Sequence, residues 1–139
     1  VGTPQAFLSF FQPHEARVYN LARLYAGEEK AVDLALDFSV LCYHRWQAVG
    51  GRMSGEEVYR GLWHYLRKRC KDPGNEGPAG GIAGMLRRLP PQQRMMVLLR
   101  DVSGEDYTSI ARIMETGRSR PGAVLSAARR RLLQASPEP

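Results

Sequence analysis

The chain has 139 residues, a formal charge of +6 at neutral pH, 43% hydrophobic residues and two cysteines. That supply of apolar side chains excludes a disordered chain and suits one ordinary domain or two small ones. No apolar run reaches the roughly eighteen residues that a membrane span needs, and the opening residues lack a signal-peptide pattern. A cytoplasmic protein is expected, with Cys42 and Cys70 as reduced thiols and an anionic partner: nucleic acid first, an acidic protein surface second.

Two helical lobes are expected, the first over residues 4–70 with three helices. Thr3-Pro4 opens an apolar segment with Phe7, Leu8, Phe10 and Phe11, which Pro13 should interrupt. Val18, Leu21, Ala22 and Tyr25 then repeat at helical steps up to Gly27. A second helix should run from Glu28 to about Val49, with acidic residues in its first turn and Gly50-Gly51 past its end. Its apolar residues Val32, Ala35, Leu36, Phe38, Leu41 and Cys42 cover more than one side, as in a helix that packs on its own lobe and also meets a partner. Ser54 and Glu57 have the spacing of a capping box and open a third helix through Val58, Leu62 and Leu66 to Arg67-Lys68-Arg69.

Lys71 to Gly81, KDPGNEGPAGG, reads as a linker rich in glycine and proline. A second lobe over residues 82–134 should hold four helices. The first carries Ile82, Met85, Leu86 and Leu89 and is stopped by Pro90-Pro91. The second carries Met95, Met96, Leu98, Leu99 and Val102 and closes near Gly104. The third runs from Glu105 to Met114, with Tyr107, Ile110, Ala111 and Met114 inward. After a turn at Gly117, SRPGAVLSAARRRLL supplies the fourth. No strand-like alternation or internal repeat occurs, so the chain should be all-α.

The segment LRRLPPQQRMMVLLRDVSGEDYTSIARIMETG resembles the C-terminal domain of bacterial sigma factors of the extracytoplasmic-function type. Leu89-Pro90, Arg94, Asp101, Gly104, Tyr107 and Ile110-Ala111 stand in the order and spacing of that family. In VYNLARLYAGEEKAVDLALDFSVL the Ala22-Arg23 pair, the Gly27 break and the Ala31-x-Asp33-Leu34 helix start resemble the family's sigma-2 domain.

The resemblance implies a sigma-2-like lobe and a sigma-4-like helix-turn-helix lobe, with core RNA polymerase (its β′ clamp helices and β flap), promoter DNA and an anti-sigma factor as partners. It implies polymerase docking by Asp33, Leu34, Asp37, Phe38 and Leu41, although Leu36-Asp37 replaces the family's usual Gln-Glu. It implies contacts to the melted −10 strand by Trp63, Tyr65, Arg67, Lys68 and Arg69, where aromatic planes stack bases and cations track phosphates. The family's usual continuation of that helix is not recognisable here. Upstream duplex contacts would come from Arg118, Ser119, Arg120, Ser126, Arg129 and Arg130.

The resemblance implies that the family's groove-facing and phosphate-facing positions in the last helix fall at Gly122, Ala123, Val124 and Ala127, which lack the bidentate donors that discriminate bases. Pro121, Leu125, Ala128 and Leu132 form its inward stripe. Its arginines can hold phosphates without reading sequence, or form a solvated face. Trp63 and Trp46 can equally be core residues. Cys42 with His44, and His64 with Cys70, have no chelating spacing, and no nucleophile–base set or phosphate-binding loop occurs. No metal, cofactor or enzymatic activity is expected.

The eleven-residue linker extends to at most about 36–40 Å, whereas the two promoter elements lie on the order of 50 Å apart. Simultaneous engagement is therefore strained, and in the free protein the lobes should pack together. Two functions remain in view: a promoter-selecting sigma factor, or a sigma-like protein acting as an anti-sigma decoy or polymerase-associated regulator.

Overall fold

The computed structural model describes residues 2–70 and 81–135, so all of the expected linker except Gly81 lies outside the described residues. Among the described residues seven α-helices follow in order: α1 Pro4–Ala26, α2 Glu28–Ala48, α3 Gly55–Arg69, α4 Gly81–Arg88, α5 Pro91–Val97, α6 Tyr107–Met114 and α7 Arg120–Ala135. The described residues form no strand. No described helix is long and apolar enough to cross a membrane.

Pro13 does not interrupt the first helix. It lies within α1, an unbroken helix of 23 residues, although an internal proline costs about 3 kcal/mol. Phe7 and Phe11 before it, and Val18, Leu21 and Tyr25 after it, all enter the core. Phe7 lies 5.3 Å from Phe11 and 5.6 Å from Trp46 between ring centroids. Ser9, whose carbonyl loses its partner, is exposed to water. A break at Pro13 would sacrifice more buried apolar surface than one hydrogen bond returns.

The capping box of α3 is complete: the Glu57 amide donates to Ser54 Oγ at 3.2 Å, and the Ser54 amide donates to Glu57 Oε1 at 3.0 Å. In the second lobe α5 continues into a π-helical turn, Leu98–Val102, closed by a bond from the Ser103 amide to the Leu98 carbonyl at 3.0 Å. Gly104 then takes φ +74°. The turn between α6 and α7 spans Gly117, as expected, and its left-handed residue is Glu115 at φ 57°. Tyr107, expected inside, is 39% exposed, with the Arg100 guanidinium 5.0 Å from its ring centre.

The two lobes share one continuous core. Arg94, 2% exposed, joins them. Its guanidinium donates to the carbonyls of Leu86 (3.0 Å), Arg87 (2.6 Å), Leu89 (2.7 Å) and, across the lobe boundary, Tyr25 (3.3 Å). It also lies 4.9 Å from the Tyr25 ring centre. These carbonyls end α4 and α1, so two negative helix termini converge on one buried cation.

Candidate functional site

Helix α2 presents two faces, as its wide apolar stripe required. Ala31, Leu34, Phe38, Cys42 and Trp46 turn inward, while Val32, Leu36 and Val40 are each more than half exposed at steps of four. Leu34 and Phe38 are therefore core residues and not part of a docking face. At 100° per residue they share the side of Ala31 and Cys42. Asp33 is exposed beside the outward stripe and Leu41 is half-buried at its edge. Together with Leu8 of α1, the stripe borders shallow apolar depressions between α1 and α2 of about 390 and 260 Å³.

Asp37 is exposed but engaged. Its carboxylate accepts from the Tyr65 hydroxyl at 2.6 Å and from Arg69 at 2.7 Å. These partners, the Tyr65 hydrogen bond first, hold its pKa below the usual 3.8. A group with a depressed folded pKa contributes stability above its unfolded pKa and loses it as the pH falls through the folded value. Tyr65→Phe should move the Asp37 titration midpoint up toward 3.8, followed by carboxyl NMR. Asp106, held low mainly by the Ser109 amide, should not move. An unchanged Asp37 midpoint would remove the Tyr65 bond as the cause.

The aromatic residues near the end of α3 are not open platforms. Trp63 is 3% exposed and Tyr65 8%. Trp63 meets the Tyr25 ring edge-on at 6.2 Å, and Arg67 lies 5.1 Å from its ring centre. Tyr65 packs on Phe38 at 5.7 Å, with Arg69 5.5 Å from its ring centre. The reason is helical spacing: each arginine follows an aromatic residue by four positions and folds back over it. A base could stack on either ring only after the covering side chains moved. The cations themselves are exposed. Arg67, Lys68 and Arg69, with His64, Tyr65, Leu41 and Arg45 of α2, line a concavity of about 590 Å³ between α2 and α3.

The helix-turn-helix is formed by α6 and α7. Pro121, Leu125 and Ala128 are buried and Leu132 is half-buried, which makes the inward stripe a real one. Val124 also turns inward, at 7% exposure, so it is not a groove-facing position. Val124 lies one residue from Leu125, and α5 and α6 both pack against this side of α7. Arg118, Ser119, Arg120, Ser126, Arg129 and Arg130 are exposed. Two of these arginines have protein partners: Arg120 donates to Gln92 at 3.1 Å and Arg129 pairs with Asp101 at 3.2 Å.

The first helix of this motif is seated on the first lobe. Arg112 pairs with Glu56 at 2.8 Å, Arg60 donates to the Arg112 carbonyl at 3.2 Å, and Arg17 pairs with Glu105 at 3.4 Å. Glu115, in its left-handed position, meets His64 Nε2 at 2.6 Å, and Arg67 lies 2.9 Å from the other ring nitrogen. For Arg67 to donate there, His64 must be neutral with its proton on Nε2. A chain of hydrogen bonds thus links Arg67 of the basic concavity to the turn before α7. Sequence reading missed this link, the carbonyl cage of Arg94 and the place of Arg45. The Arg94 motif position was its one visible signal.

Comparison with known proteins agrees with this arrangement. The family model described as Sigma-70, region 4, matches residues 81–132. A solved structure of the sigma factor RpoE in complex with the anti-sigma factor NepR, from Bartonella quintana, is similar in fold, with a TM-score of 0.69 and 19% identity over 94% of this chain and 99% of that one. No curated protein sequence matches the chain. Residues 81–132 thus match region 4 of sigma-70, and both lobes together share the fold of that solved sigma factor.

Proposed function

We propose that this protein is an RNA polymerase sigma factor of the extracytoplasmic-function type, which brings core polymerase to promoter DNA and starts transcription. The observation that carries this reading is the region 4 match over residues 81–132 inside a whole-chain sigma fold. The polymerase β′ clamp helices would meet the outer face of α2, where the apolar stripe Val32, Leu36 and Val40 runs beside Asp33, with Asp37 and Leu41 at its margins. Arg67, Lys68 and Arg69, on the α3 side of the concavity, would track the melted strand. The exposed arginines at both ends of α7 would hold duplex phosphates, and this lobe would contact the β flap. An anti-sigma factor, the kind of partner seen with the similar sigma factor, would bind both lobes.

A second reading rests on one specific observation, the clasp of α6 on α3. It engages Arg112 with Glu56 and ties Arg67 to Glu115 through His64. In that state the protein would act through protein contacts, as an anti-sigma decoy or polymerase-associated regulator without promoter selection.

Core polymerase reconstituted with the chain separates the two readings on genomic fragments. A sigma factor yields defined start sites, which Arg118→Ala plus Arg120→Ala should abolish or weaken at least tenfold while polymerase binding persists. Polymerase binding with no promoter-dependent transcript would favour the second reading.

A further inference from the structure

We propose that Arg45, on α2, is a further nucleic-acid contact: it extends the basic surface of α3 across the groove between the two helices and takes a backbone phosphate of the melted strand. The proposal rests on the sigma-factor reading above. Arg45 is exposed in the last turn of α2, where a cation suits the negative helix end and need do nothing more. Its position argues for more. The side chain reaches across to α3, where residue 61 is glycine: a Cβ there would stand 3.1 Å from Arg45 Nη1 and 3.6 Å from the Phe38 ring. The bare backbone at Gly61 therefore leaves the guanidinium room on the α3 side.

There it lines the same 590 Å³ concavity as Arg67, Lys68 and Arg69. Several cations around one depression repel one another, and the protein neutralises only part of that charge. Arg69 has Asp37 as its ion-pair partner. Among the described residues no carboxylate ion-pairs with Arg45 or Lys68. A concave, half-open, cationic surface with an apolar floor of Leu41 and Tyr65 suits a flexible polyanion. A single strand presents phosphates along such a groove, and a cation on each wall can hold the backbone from both sides.

The test uses polymerase holoenzyme assembled with the full chain and a fluorescent single-stranded DNA oligonucleotide, with affinity measured over a salt series. Each phosphate contact on a single strand contributes about −0.7 to the slope of log K against log salt. Arg45→Gln should make the slope shallower by about 0.7, which is roughly fivefold weaker binding at 0.1 M salt, and Arg45→Lys should restore it. Arg45→Gln with an unchanged slope, whether or not its melting temperature falls, would overturn the proposal and leave Arg45 as a packing residue over Gly61. If holoenzyme with the wild-type chain shows no salt-dependent strand binding, the sigma reading itself fails, and this proposal with it.

Discussion

Arg94→Met should destabilise the protein by about 3–5 kcal/mol, because several buried carbonyls lose their donor together and each unsatisfied group costs about 1–3 kcal/mol. The acceptors are those of Leu86, Arg87, Leu89 and Tyr25, grouped at the ends of α4 and α1. Methionine fills the space but donates nothing. Folded domains hold only about 5–15 kcal/mol in all. The melting temperature should therefore fall by roughly 10–20 °C, measured by circular dichroism. Arg94→Lys should recover only part of the loss, since a point ammonium cannot span acceptors that a planar fork reaches. A loss below about 1 kcal/mol for Arg94→Met would mean that water replaces the guanidinium and that the cage is not what joins the lobes.

The largest functional effect is expected from replacing Arg67, Lys68 and Arg69 together by glutamine. If each meets one phosphate of a single strand, the salt slope should become shallower by about 2 and affinity at 0.1 M salt should fall roughly 100-fold. Trp63 and Tyr65 lose their covering guanidiniums in this variant, so thermal melting must accompany the binding assay. Exposed cation–π contacts are worth only about 0.5–1 kcal/mol each, which leaves the fold intact. Less than about a fivefold loss of affinity in a folded triple variant would show that this end of α3 is a solvated charged face.

The contrast between Leu36 and Phe38 shows how much of the surface was legible beforehand. Two apolar residues two positions apart on a helix point to different sides, so the pattern alone announced a helix with two apolar faces. It could not say which face the lobe would claim. Burial of Phe38 follows from its neighbours across α3, Tyr65 among them, and leaves Leu36 outside at 63% exposure. Pro13 shows the opposite failure. Its local penalty is visible in the sequence, but the aromatic cluster that outweighs it exists only once α1 lies on α2.

By itself the sequence determined the all-helical class, the capping box at Ser54, the helix stop at Gly27, the inward stripe of α7 and the lack of base-reading side chains at Gly122, Ala123 and Ala127. These are matters of residue chemistry and spacing along the chain, and a change of partner does not alter them. The tertiary structure alone decided that Trp63 and Tyr65 are enclosed, that Asp37 is occupied by Tyr65 and Arg69, that four carbonyls converge on Arg94, and that α6 is clasped to α3. Each of these joins groups from different helices, and the sequence spacing between them carries no information about distance until the helices have packed.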